Sequence, residues 1–113
     1  MIKVTVYKND SDQYVGFEMV GHAEYADYGK DIVCAAVSAL VINTMNSVEK
    51  FSDDECNGAV HEKEDTVSFE VVSKPMSSEA ELLMKSLVFG LESIADEYGK
   101  RCIKIKIKRK QEV

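Results

Sequence analysis

Three observations predict an α+β fold for this chain. Five short stretches alternate apolar with polar residues, two longer ones repeat apolar residues at three and four, and their order is strand, strand, helix, strand, strand, helix, strand. With 113 residues, 45% of them hydrophobic, there is enough chain for one core and too little for two domains of ordinary size. A single domain, residues 1–113, is therefore expected, its mainly antiparallel sheet carrying both helices packed on it.

Ile2, Val4 and Val6, then Val15, Phe17 and Met19, mark two strands joined across Asn9-Asp10-Ser11-Asp12, side chains that favour turns. From His22 to Lys30 neither period holds, which reads as a loop, and helical spacing begins around Ile32. Val33, Val37, Leu40, Val41, Met45 and Val48 then form one face of a central helix, and Ala35, Ala36 and Ala39 imply close packing on more than one side. Asp53, Asp54, Asn57 and Gly58 are expected to end it. A second hairpin follows, Val60 to Glu62 and Thr66 to Val72 pairing across Lys63-Glu64-Asp65, and Pro75 closes it. Ser77 or Ser78 starts a second helix with Leu82, Leu83, Leu87, Leu91 and Ile94 as its apolar face, and Gly99 stops it. Ile103, Ile105 and Ile107 belong to a last strand, whose alternating lysines suit an exposed face or a protected edge.

Charge is segregated. The formal net charge is −6, yet Lys100 to Lys110 holds 7 of the 14 basic residues, leaving 7 against 20 acidic ones elsewhere. An acidic body disfavours nucleic acid and suits a basic partner. Three cysteines at wide spacings do not make the stapled framework of a secreted domain, and the opening MIKVTVYKND reads as a strand and not as a secretory segment. The apolar stretch Ile32 to Ile42 is about half of what a bilayer-spanning helix requires. These features place the chain in a reducing, cytoplasmic setting.

One pair of residues is suited to chemistry. Asp31 stands just before the expected helix start and has the side chain of a good N-cap, which puts Cys34 in the first turn, near N3. A thiolate there would face free backbone N–H groups and the positive end of the helix dipole, both of which favour the nucleophilic form. Taken alone, Cys34 within Ile-Val-Cys-Ala-Ala-Val is also an ordinary small core residue. His22 tips the balance: it follows Gly21 at the end of the second strand and is joined to Cys34 by the loop alone, so the two can converge at one sheet edge. A cysteine nucleophile needs an imidazole to take its proton and return it to the leaving amine. Asp31 is a candidate to orient that ring, its N-cap role being the equal alternative. Gly21 and Gly29 permit close backbone approach, Tyr25 and Tyr28 are candidates for a lid over a bound peptide, and Ser38 is placed one turn beyond Cys34.

Gly21-His22-Ala23 followed by Gly29-Lys30-Asp31-Ile32-Val33-Cys34-Ala35-Ala36-Val37-Ser38 resembles the signature of the bacterial ribosomal-processing cysteine protease family, Prp. The resemblance extends to the element order of nearly the whole chain. It implies a cysteine endopeptidase that removes a short hydrophobic N-terminal extension from the twenty-seventh large-subunit ribosomal protein, with Cys34 as nucleophile and His22 as its base. It also implies a homodimer and a site with no metal and no cofactor.

Other readings have less behind them. An RNA-binding module would use the basic last strand, but isoleucines stand where a single-strand platform places stacking rings. A thiol-transfer protein is disfavoured by the lack of a Cys-x-x-Cys pair. Zinc held by His22, Cys34, Cys56, His61 or Cys102 would draw ligands from five unrelated segments without paired spacing.

Overall fold

Alternation in the first two strands decides which face of the sheet is buried. In the computed structural model, which describes residues 1–21, 28–99 and 101–110 and gives the backbone alone at 28–31 and 62, β1 (Ile2–Lys8) pairs antiparallel with β2 (Tyr14–Val20). That register sets Val4 opposite Met19 and Val6 opposite Phe17, so all four side chains lie on one face, and all four are buried. Between the strands, the Asn9 side-chain oxygen accepts from the backbone N–H of Ser11 and Gln13 at 2.9 and 3.0 Å, and Asp12 takes φ 60°, a turn built by the residue types that favour it.

The sheet order is β3-β4-β2-β1-β5, with β3 spanning Cys56–His61, β4 Thr66–Val71 and β5 Ile103–Arg109. Three of its pairings are antiparallel and one, β1 with β5, is parallel. The sheet is thus mixed within the expected α+β class. The parallel pair follows from the return of the chain through α2 (Ser78–Tyr98) before its last strand. Phe17 and Phe69 face each other across β2 and β4 with ring centroids 5.8 Å apart, at the middle of the core. Lys104, Lys106 and Lys108 alternate on β5 with Ile103, which is fully buried, and they protect that edge as the sequence pattern requires.

Two boundaries and one buried face differ from expectation. The central helix, α1, spans Tyr28–Phe51 and so begins ahead of Ile32; a first turn without an apolar stripe leaves periodicity nothing to register. β3 begins at Cys56, with Asn57 and Gly58 inside it and not in a turn. Gly58 lies opposite Phe69, and a Cβ there would come within 3.3 Å of Met45 Cε, so the glycine serves close approach of α1 to the strand. On α2 the buried face is Ala80, Met84, Leu87, Val88 and Leu91, while Leu82 is 67% exposed. The stripe is rotated from the expected face of Leu82, Leu83, Leu87, Leu91 and Ile94 because Met84 and Val88 fill the core equally well.

Both ends of α2 fall where their residues direct. Ser77 caps α2 by accepting from the Ala80 N–H at 3.1 Å, and Gly99, at φ 92°, returns its N–H to the Ala95 carbonyl at 2.9 Å. The helices meet where Leu40 lies over Gly90: a Cβ on that glycine would sit 2.9 Å from Leu40 Cδ1.

At the far end of the sheet, Arg109 donates to the Asn9 carbonyl and to Asp12 Oδ1, both at 2.6 Å. The hydrogen bond from Arg109, and after it the guanidinium charge, hold the Asp12 carboxyl below its ordinary range. Because the folded value is the lower one, this link stabilises the fold above the unfolded value of about 3.9 and is lost as pH falls through the folded value. The Asp12 carboxyl should therefore titrate at higher pH in Arg109→Gln than in the wild type when followed by NMR; identical midpoints would show that the contact does not form in solution.

Candidate active site

Gly21, at the end of β2, has φ +89°, and a Cβ there would stand 2.8 Å from the Met1 carbonyl oxygen. Only glycine fits without strain. Its N–H donates to the Asp65 carbonyl at 2.9 Å, which ties the end of β2 to the turn between β3 and β4, where Asp65 itself takes φ 50°. The chain thus leaves the sheet for His22 from a point held on two sides.

α1 approaches the same end of the sheet. Val33 and Val37 are fully buried, which orients the helix and turns Cys34 and Ser38, one turn apart, toward a cleft of about 240 Å³. Gly21 lines this cleft from β2, and Val60, His61 and Thr66 line it from the other hairpin, over a floor of Ile2 and Met19. Cys34 is partly buried against the core. No disulfide joins it to Cys56 or Cys102.

Cys56 shows what an unreactive thiol looks like in this fold. Burial first, and then the charges of Asp54 and Glu49, push its pKa up, and its Sγ lies 3.7 Å from the Asp54 carbonyl oxygen. A neutral thiol in an acidic setting is a poor nucleophile. A second groove of about 340 Å³, lined among others by Tyr7, Gly16, Asn57 and Glu70, carries neither cysteine nor histidine. Among the described residues no group of three His, Cys, Asp or Glu side chains could hold a metal ion.

The structure therefore brings three of the expected site residues, Gly21, Cys34 and Ser38, to one cleft. His22 and Tyr25 lie outside the described residues, as do the side chains of Tyr28 and Asp31. The backbone of Tyr28, Gly29 and Asp31 is helical, so Asp31 is inside α1 and is not its N-cap. Cys34 consequently stands in the second turn, beyond the free N–H groups of the helix start, and its own N–H falls within the intrahelical ladder. The dipole effect fades within the first turn, so the helix start contributes less at Cys34 than its expected position near N3 implies.

Sequence reasoning missed the wall formed by Val60, His61, Asp65, Thr66 and Val67. The hairpin itself was visible in the alternation. Its place beside Cys34 depends on β4 pairing with β2, a contact between distant segments that leaves no local signal.

Known proteins share this fold. The family model described as Cysteine protease Prp matches residues 1–111. The ribosomal processing cysteine protease Prp of Bacillus subtilis (strain 168) is 31% identical over 101 residues, covering 87% of this chain and 90% of that protein. Its Staphylococcus aureus (strain Mu50) namesake is 28% identical over 100 residues, covering 88% and 92%. Two crystal structures of an essential ribosomal processing protease Prp from S. aureus match the fold over 96% of this chain and 100% of theirs. The complex with a covalently linked product peptide has TM-score 0.84 and 27% identity, and the complex with a substrate peptide has 0.87 and 26%. Matched along nearly its whole length in sequence and in fold, this chain belongs to the Prp family of cysteine proteases.

Proposed function

We propose that this protease removes the short hydrophobic N-terminal extension of the twenty-seventh large-subunit ribosomal protein, serving ribosome assembly in the cytoplasm, with Cys34 as nucleophile and His22 as general base and acid. The observation that carries this reading is the cleft beside Cys34, bounded by the glycine that immediately precedes His22. Support also comes from the S. aureus relative, whose solved complexes hold a substrate peptide and a covalently linked product peptide.

In this mechanism His22 takes the proton from Cys34 Sγ, and the sulfur attacks the scissile carbonyl carbon. As the tetrahedral intermediate collapses, His22 gives that proton to the departing amine. A water molecule, deprotonated by His22, then hydrolyses the thioester, and Cys34 leaves as the free thiol. None of these steps calls for a metal or a cofactor. Ser38 and Gly21 shape the cleft around the reacting bond.

Cys34→Ala should abolish cleavage of a peptide spanning the junction of the extension, and His22→Ala should lower kcat/KM by about 10²–10⁴-fold, with thermal unfolding unchanged in both. Wild-type rates in either variant would sink the assignment.

The acidic body suits a strongly basic ribosomal-protein substrate, an attraction that acts mainly on the encounter rate. kcat/KM should fall as salt is raised, with kcat nearly constant. A rate indifferent to ionic strength removes this element of the reading.

The outer surface of the helix layer supports a homodimer. Ile42 on α1 and Phe89 on α2 are 56% and 73% exposed. Apolar surface of this kind calls for a cover, and a second copy provides one. Sedimentation velocity should give a two-chain mass that Phe89→Glu shifts toward one chain; a wild-type monomer at micromolar concentration would overturn the dimer.

A further inference from the structure

The two edges of the sheet are treated differently. β5 is guarded by lysines, whereas β3, at the opposite edge, contains no charged residue and no proline between Cys56 and His61. Such an edge is a template for another strand. Asn57, Gly58, Val60 and His61 are all exposed, so no described element covers it.

Which backbone groups point outward follows from the register. Val72 N–H donates to the Glu55 carbonyl at 2.8 Å, which makes these opposed residues a hydrogen-bonded pair. Pairs of that kind alternate, so Asn57, Ala59 and His61 exchange their bonds with Glu70, Ser68 and Thr66 of β4. The bond from Gly21 N–H to the Asp65 carbonyl gives the same parity independently, because it turns Asp65, Val67 and Phe69 toward β2 and leaves the residues between them for β3. The N–H and C=O groups of Cys56, Gly58 and Val60 therefore face away from the sheet.

This edge runs into the cleft: Val60 and His61, at its end, line the same cavity as Cys34. Acidic residues bracket it, Asp53, Asp54 and Glu55 on one side and Glu62, Glu64 and Asp65 on the other. An unguarded strand, with alternate backbone groups presented outward, leading to a nucleophile between acidic flanks, fits an extended basic polypeptide.

We propose that the substrate docks as an added β-strand on β3, its scissile bond carried from that edge into the Cys34 cleft. This inference rests on the peptidase reading above. Strand addition draws affinity from main-chain hydrogen bonds and is insensitive to half of the side chains, which point to the solvated face. Every second residue of the bound segment bonds to Cys56, Gly58 or Val60, and the residues between bond to nothing on this chain.

The test uses the full chain and a synthetic peptide spanning the junction of the ribosomal-protein extension. In the Cys34→Ala variant, saturating peptide should slow amide exchange at Cys56, Gly58 and Val60 by at least about tenfold, as a newly formed hydrogen bond does, and leave Asn57, Ala59 and His61 unchanged. With the wild-type enzyme, peptides N-methylated one position at a time should show KM raised about three- to tenfold at alternate positions of the docked segment. Cleavage by the wild type without alternating protection would overturn strand addition and leave the peptidase intact. If the wild type does not cleave the peptide, the substrate reading fails, and strand addition fails with it.

Discussion

The pairing of β2 with β4 is the contact on which the rest of this molecule depends. It joins segments some fifty residues apart, sets Phe17 against Phe69, and brings the Asp65 turn to the Gly21 N–H. Without it the second hairpin would have no place, α1 would have no strand under Met45, and Cys34 would face solvent on one side. A contact so distant in sequence is entropically costly to close, and the apolar burial of the central strands offsets that cost.

Gly21 shows how the same pairing reaches the chemistry. Its left-handed backbone lies close to the Met1 carbonyl and is bonded to Asp65, so the residue before His22 is held by two neighbouring segments. Cys34 is located from the other side, by valines that keep α1 in one rotation. Gly21 and Cys34 thus belong to elements fixed independently by the core. Cys56, at the start of the edge strand β3, illustrates the alternative: burial and two carboxylates make it a packing residue.

Much of this was legible in the residues. Alternation in Ile2-Val4-Val6 and Val15-Phe17-Met19 assigned the first hairpin and its buried face, and the valine repeat assigned α1. Ser77 and Gly99 marked the ends of α2 through their capping chemistry, and the glycine and cysteine spacing pointed to the family. What failed did so for physical reasons. The first turn of α1 has no apolar stripe, so its start was placed late and Cys34 too near the helix end. Gly58 was read among the residues that end α1 because sequence does not separate a glycine needed for backbone freedom from one needed for close approach. The parallel β1–β5 pair and the hairpin wall of the cleft are tertiary facts, set by which strand edges were left to pair.

That parallel pair also has a practical side. β1 and β5 run the same way, so Met1 lies at the cleft end of the sheet, pressed against the residue before His22, and Arg109 lies at the opposite end beside Lys8. Seven strand residues separate the two ends, roughly 20 Å of extended chain. An affinity tag fused ahead of Met1 would crowd Gly21 at the mouth of the Cys34 cleft, whereas one appended after the last strand would hang clear of it. For this fold, the choice of which terminus to decorate is a choice about access to the Cys34 cleft.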